Sequence, residues 1–271
     1  MRKKDLELFR SVFEEHMQIN RFYWFKNAYY KIDTEHFWVM MVYPYCKNSQ
    51  IPSFELCFNC LPFSFAIDAL DLLGTERTNL SVQFLRNEIS ANKTGIESWI
   101  GDPVTLDSFQ RAFNDYLSLV APILYRVHTM NDAFQTALYF YKKTGCRPYE
   151  WDYVNTTAYL QEQSLTLNYL NELLSFKESL RDTYRQMDRN EYVEKLLEKR
   201  TPIQKLSARL NKKETLFDIE RIKWMINKVQ EGDMEFVTMQ AERRILDSYN
   251  YLFYYIPYKE HSKVDIALCS S

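Results

Sequence analysis

A chain of 271 residues in which 46% of the side chains are hydrophobic has ample material for a buried core, which excludes global disorder. Thirty-four basic against 36 acidic side chains leave a formal charge of −2 and so give no whole-chain attraction to nucleic acid or to an anionic membrane. The five glycines stand isolated, so the chain writes neither a Gly-rich phosphate loop nor a dinucleotide fingerprint.

Residues from Asp5 to Met17 place Leu6, Phe9, Val12, Phe13 and Met17 on one helical stripe and leave Glu14 and Glu15 for solvent. Arg21 to Ile32 is β-rich, and the polar pair Lys26-Asn27 inside it suits the turn of a hairpin. Asp33-Thr34-Glu35 turns the chain into the apolar run Phe37 to Tyr43, which lacks alternation and reads as a strand covered on both faces. After Asn48-Ser49-Gln50 and Pro52, Phe54, Leu56 and Phe58 alternate with Glu55, Cys57 and Asn59, as in a half-buried strand. Phe65 to Leu73 reads as a short helix ending at Gly74, and Leu80 to Leu85 as a further strand.

From Asp102-Pro103, a cap residue followed by proline at a first helical position, Leu106, Phe109, Phe113, Leu117, Val120, Leu124 and Val127 recur at three and four. Pro122 must kink or split that helix. Asn131 and Asp132 open another, running to Gly145. Cys146 to Glu150 is the expected boundary, and beyond it the periodicity is helical. Leu170, Leu173, Phe176, Leu180, Tyr184 and Met187 form one stripe, and Thr201-Pro202 interrupts the helical pattern after it. Thr215 with Asp218 resembles a cap ahead of Leu216, Ile219, Ile222, Ile226 and Val229. Glu231-Gly232-Asp233 stops that helix and opens the last, which carries Val237, Ala241, Ile245, Tyr249, Leu252 and Ile256 before Pro257.

The fold class expected is α+β: an N-terminal antiparallel sheet with helices over residues 1–145, then an all-helical region over 146–257 and a tail over 258–271. Five cysteines at irregular spacing do not form a disulfide framework, no run of about 18 apolar residues exists, and Met1-Arg2-Lys3-Lys4-Asp5 does not lead into an apolar signal core, so a cytoplasmic protein without membrane association is expected.

Candidate chemistry is sparse. Cys57-Phe58-Asn59-Cys60 has the spacing used for zinc or thiol exchange, with Cys46 and Cys146 as further candidate ligands. On a regular strand, however, the odd offset sends the thiols to opposite faces, about 10 Å apart at Cα and beyond disulfide reach. No structural metal or cofactor is therefore expected. His16, His36, His128 and His261 fall in four different elements without the i, i+4 partner of a helical metal motif, and no nucleophile elbow occurs. Asp68 with Asp71, and Glu14 with Glu15, suit exposed helix faces. The one charge asymmetry is Lys195, Lys199, Arg200, Lys205, Arg209, Lys212 and Lys213, opposed within that span only by Glu198. It reads as a phosphate-tracking ridge or as a solvated helix face balanced by Asp188, Glu191, Glu194 and Glu214.

The opening helix, the aromatic hairpin ending in Tyr29-Tyr30, the runs His36-Phe37-Trp38-Val39 and Phe54-Glu55-Leu56-Cys57-Phe58, and Leu117 to Leu138 around Ala121-Pro122-Ile123-Leu124 together resemble a small bacterial domain-of-unknown-function family, number four-three-zero-four. This resemblance covers about residues 1–145. It implies an α+β fold without established catalytic residues and, from some relatives, an immunity role beside bacterial toxins. The function expected is non-catalytic binding of another protein, in the manner of an immunity or defence accessory. The alternatives are a nucleic-acid-associated protein using the basic stretch and an unrecognised enzyme.

Overall fold

The computed structural model describes residues 1–48, 53–65, 80–81, 102–144, 151–188 and 202–255. They fall into two compact units, one built from residues up to 144 together with 244–255, the other from 151–243. The fold is α+β with an N-terminal antiparallel sheet followed by helices, as the change of period from two to three and four requires.

In the sheet unit, helix α1 (Lys3–Ile19) precedes strands β1 (Tyr23–Phe25), β2 (Ala28–Asp33), β3 (Trp38–Asn48) and β4 (Ser53–Pro62). The short pieces β5 (Leu80–Ser81) and β6 (Asp102–Pro103) both pair with β4, and every pairing is antiparallel in the order β1-β2-β3-β4-β5. Phe25 pairs with Ala28, so Lys26-Asn27 is a two-residue hairpin loop, with Lys26 in the left-handed region at φ 52°. Asp33 Oδ1 accepts the Glu35 and His36 amides at 3.1 and 2.8 Å and shapes the next turn, which ends on Phe37 at φ 58°. His36 and Phe37 belong to that loop, and the strand begins at Trp38.

One sheet face is a single apolar layer. Tyr29, Met40, Val42, Phe54, Leu56, Phe58 and Cys60 pack with Phe9, Phe13 and Met17 of α1 and with Phe109 of α2 (Leu106–Asp115). The Phe54 and Phe109 rings lie 4.5 Å apart, and Phe13 meets Phe113 edge-on at 5.0 Å. The other face is buried too: Glu55 is 9% and Asn59 1% exposed, so β4 is covered on both sides and not half-solvated as its alternation suggests. The alternation of β4 marks which residues share a face; whether a face is wet depends on what else covers it.

Helix α2 starts later than its proline suggests. Asp102 and Pro103 pair with Phe54 and Ser53, a place where a residue without an N–H is tolerated, and Thr105 is the cap, its Oγ1 accepting the Ser108 amide at 3.2 Å. Pro122 splits the helix as expected: a π-helical turn (Tyr116–Val120) carries the Ala121 amide to the Tyr116 carbonyl before α3 (Ala121–Leu124) resumes. Helix α4 (Met130–Thr144) opens on a Thr129–Asp132 box, with Asp132 Oδ2 accepting the His128 and Thr129 amides at 3.0 and 2.9 Å and Thr129 Oγ1 accepting the Asp132 amide at 3.1 Å. Gly145 and the expected boundary at Cys146 to Glu150 lie outside the described residues, as does the short helix read at Phe65 to Leu73 beyond Phe65 itself.

The helical unit contains α5 (Asp152–Tyr159), α6 (Gln163–Asp188), α7 (Pro202–Gln230) and the first part of α8 (Glu235–Tyr255), whose last turns, from Arg244, belong to the sheet unit. Val154, Ala158, Leu170, Leu173, Ile222, Met225, Ile226, Val229, Val237 and Ala241 form its core. Gly232 at φ 84° ends α7, with the Asp233 amide bonded to the Lys228 carbonyl at 2.9 Å and the Gly232 amide to that of Val229 at 3.1 Å. In the sheet unit, Ser248 Oγ donates to the Phe65 carbonyl at 2.9 Å and Tyr249 meets Phe63 edge-on at 6.4 Å.

Candidate interaction surface

Thr215 and Asp218, which resemble a cap, sit inside α7. Thr215 Oγ1 donates to the Asn211 carbonyl at 2.8 Å, and Asp218 pairs with Lys177 of α6 at 2.8 Å, both side chains nearly buried. Helix α7 starts instead at Pro202, the proline at its first position, and runs unbroken through 29 residues. Its inner stripe, Ile219, Ile222, Met225, Ile226 and Val229, is buried, whereas Leu216, which the sequence pattern assigns to that stripe, is exposed.

Leu210, Phe217 and Trp224 repeat at intervals of seven, nearly opposite that stripe, and are 55%, 68% and 44% exposed. The Phe236 ring of α8 meets Trp224 edge-on at 4.8 Å and 89°, and Met239, also exposed, follows one turn along α8. Beside Trp224, the Arg221 guanidinium carbon lies 5.4 Å from the Trp151 ring and 5.9 Å from that of Phe236, and its Nη2 donates to Gln240 Oε1. Gln240 Nε2 in turn donates to Asn155 Oδ1 at 2.9 Å, and Asn155 is buried. The exposed apolar row thus stands on a helix fixed from within by an ion pair and at its edge by a hydrogen-bonded arginine. Trp and Arg on a firm scaffold are the residue types that dominate binding energies at protein interfaces. The sequence signal for this surface lies in Phe217 and Trp224, two large apolar residues out of phase with the core stripe of their own helix.

Other candidates do not converge. His16 Nε2 lies 2.8 Å from the Tyr125 hydroxyl and 3.3 Å from Asn20 Nδ2, its ring edge-on to Phe113 and Tyr116, and burial lowers its pKa by disfavouring the charged imidazolium. His36 Nδ1 contacts Asp33 Oδ1 at 3.0 Å in a turn, and His261 lies outside the described residues. Cys57 and Cys60 pair across β3 with Tyr43 and Met40, on opposite faces; both are buried, and burial, with Asp132 adding to it, pushes the Cys60 thiol pKa up. Among the described residues no group of three or more His, Cys, Asp and Glu is placed to hold a metal ion, and no helix is long and apolar enough to cross a membrane. Glu14, which the helical pattern leaves for solvent, accepts from Arg10, Gln18 and Tyr29. Asp68 and Asp71 lie outside the described residues, as do Lys195, Lys199 and Arg200. Lys205, Arg209, Lys212 and Lys213 lie on α7, where Lys213, the one whose side chain is described, is exposed.

No family model, no curated protein and no solved structure matches the chain.

Proposed function

We propose that the chain acts by binding another protein through the outward face of α7 and the adjoining part of α8, formed by Leu210, Phe217, Trp224, Phe236 and Met239. The observation that carries this reading is the apolar row Leu210, Phe217 and Trp224, which stays 55%, 68% and 44% exposed on the side of α7 turned away from its core stripe. A role as an immunity or defence accessory is the form of this reading that the family resemblance alone supports. A photo-crosslinking residue in place of Phe217 is expected to capture a polypeptide in cells, and the same residue in place of Glu172, exposed on α6, is expected to capture none. Capture of nucleic acid in place of protein, or salt-sensitive RNA or DNA binding that Lys199, Arg200, Lys212 and Lys213 substitutions abolish, would overturn the reading in favour of the basic stretch.

A further inference from the structure

We propose that the partner of the α7 face is a second copy of this chain, paired antiparallel through a twofold axis at Phe217; this rests on the interaction reading above. The charge order along both edges of the apolar row supports it. Lys213 and Glu220 run along one edge, Glu214 and Arg221 along the other, with Leu210, Phe217 and Trp224 between them. A twofold axis perpendicular to the helix keeps each edge on its own side and reverses the height, so residues equally far before and after Phe217 come level with one another.

Leu210 and Trp224 are both seven residues from Phe217, about 10.5 Å along the axis, so each lies against the other's counterpart in the second copy. Lys213, four before, falls within about one residue rise of Glu220 of the second copy, three after. Glu214, three before, falls equally close to Arg221 of the second copy, four after. Arg221 has guanidinium donors beyond the one given to Gln240. Both edges are thus self-complementary about the midpoint of the apolar row, giving four opposite-charge pairs around an apolar centre. A parallel pairing in register brings opposite edges together, Lys213 against Glu214 and Glu220 against Arg221 of the second copy, so the exchange K213E/E220K, which restores opposite charges only in the antiparallel pair, separates the two arrangements. A row directed at an unrelated protein has no reason to carry this symmetry. The interface so formed is isologous and closed, and the assembly stops at two.

The test is sedimentation of the full chain over a concentration series. The chain is expected to associate to twice its monomer mass, and Phe217→Glu to abolish this. Lys213→Glu and Glu220→Lys are each expected to raise the dissociation constant by about tenfold or more, and the double variant K213E/E220K to return it to within a few-fold of the original. These positions are exposed, so the charge-reversal series reports on pairing even where Phe217→Glu folds poorly. A strictly monomeric chain, an association indifferent to Phe217→Glu, or a double variant as weak as the single ones overturns the proposal. A monomeric chain whose residue-217 crosslinker still captures a different polypeptide overturns self-pairing alone, whereas a monomeric chain that captures nothing overturns the interaction reading with it.

Discussion

Helices α1 and α7 each lay one apolar stripe on a core, Phe9, Phe13 and Met17 in the sheet unit and Ile219, Ile222, Ile226 and Val229 in the helical unit. Beyond those stripes the two helices differ. Along the half-buried flank of the α1 stripe, Arg10 Nε donates to Glu14 Oε2 at 2.9 Å and Gln18 Nε2 to Glu14 Oε1 at 2.7 Å, a chain of i, i+4 contacts. Tyr29 closes it by donating to Glu14 Oε2 at 2.8 Å, so this polar row joins helix to sheet. On α7 the side turned away from the core stripe holds Leu210, Phe217 and Trp224. A polar row bonded to the sheet serves the fold; the apolar area that stays exposed on Leu210, Phe217 and Trp224 gains its free energy only when something covers it.

That contrast predicts a graded series. Phe9→Ala, in the stacked cluster under the sheet, is expected to cost about 3–5 kcal/mol, read as a large fall in the denaturation midpoint. A loss of under about 1 kcal/mol would show that α1 is peripheral to its core. In the helical unit, Asp218→Ala removes the carboxylate 2.8 Å from the nearly buried Lys177 ammonium and is expected to cost about 3 kcal/mol, while K177M/D218L, which removes both charges, is expected to recover most of it. Equal losses in the single and double variants would show that the pair is not what holds α6 to α7.

Much of this architecture was legible from period and punctuation. The Lys26-Asn27 hairpin, the Gly232 stop and the split at Pro122 each come from a local rule that the surroundings do not override. The departures share another cause. Alternation in β4 gave the pairing of faces, but Glu55 and Asn59 are buried as well, and a local period cannot report whether a second face is covered. Asp102-Pro103 carries a helix-start signature and is spent on the sheet edge, and Thr215 and Asp218 look like a cap because a buried ion pair and a side chain bonded back to its own helix use the same residue types. The candidate surface was legible only as an unexplained remainder: once Ile219, Ile222 and Ile226 account for the core side of α7, Phe217 and Trp224 are left over.

Smaller effects are expected on α1. Tyr29→Phe removes the hydroxyl that donates to Glu14 and is expected to cost about 1–2 kcal/mol in denaturant titration. The Arg10 guanidinium, outweighing burial and aided by Tyr29 and Gln18, holds the Glu14 pKa below its ordinary value of 4.5. A carboxylate depressed in the folded state stabilises above its unfolded pKa, and that contribution is lost as pH falls below the ordinary value toward the folded one. Glu14→Gln is therefore expected to flatten the acid limb of the stability profile, and an unchanged limb would contradict the assignment. His16 is a base depressed by burial, so its contribution is present above its ordinary value of 6.5 and falls away below it. Replacing it with glutamine is expected to remove a shallow decline that begins near neutral pH, which separates it from the Glu14 limb at lower pH.

The smallest expected effect on stability bears on the central claim, that the outer side of α7 is kept apolar for binding and not for folding. Phe217→Ser should be followed in parallel by thermal denaturation at a concentration where the chain is monomeric and by sedimentation at one where it associates. The stability of Phe217→Ser is expected to stay within about 0.5 kcal/mol of the original while its association is lost. A midpoint lowered as far as that of Phe9→Ala, or association that survives the substitution, would contradict it.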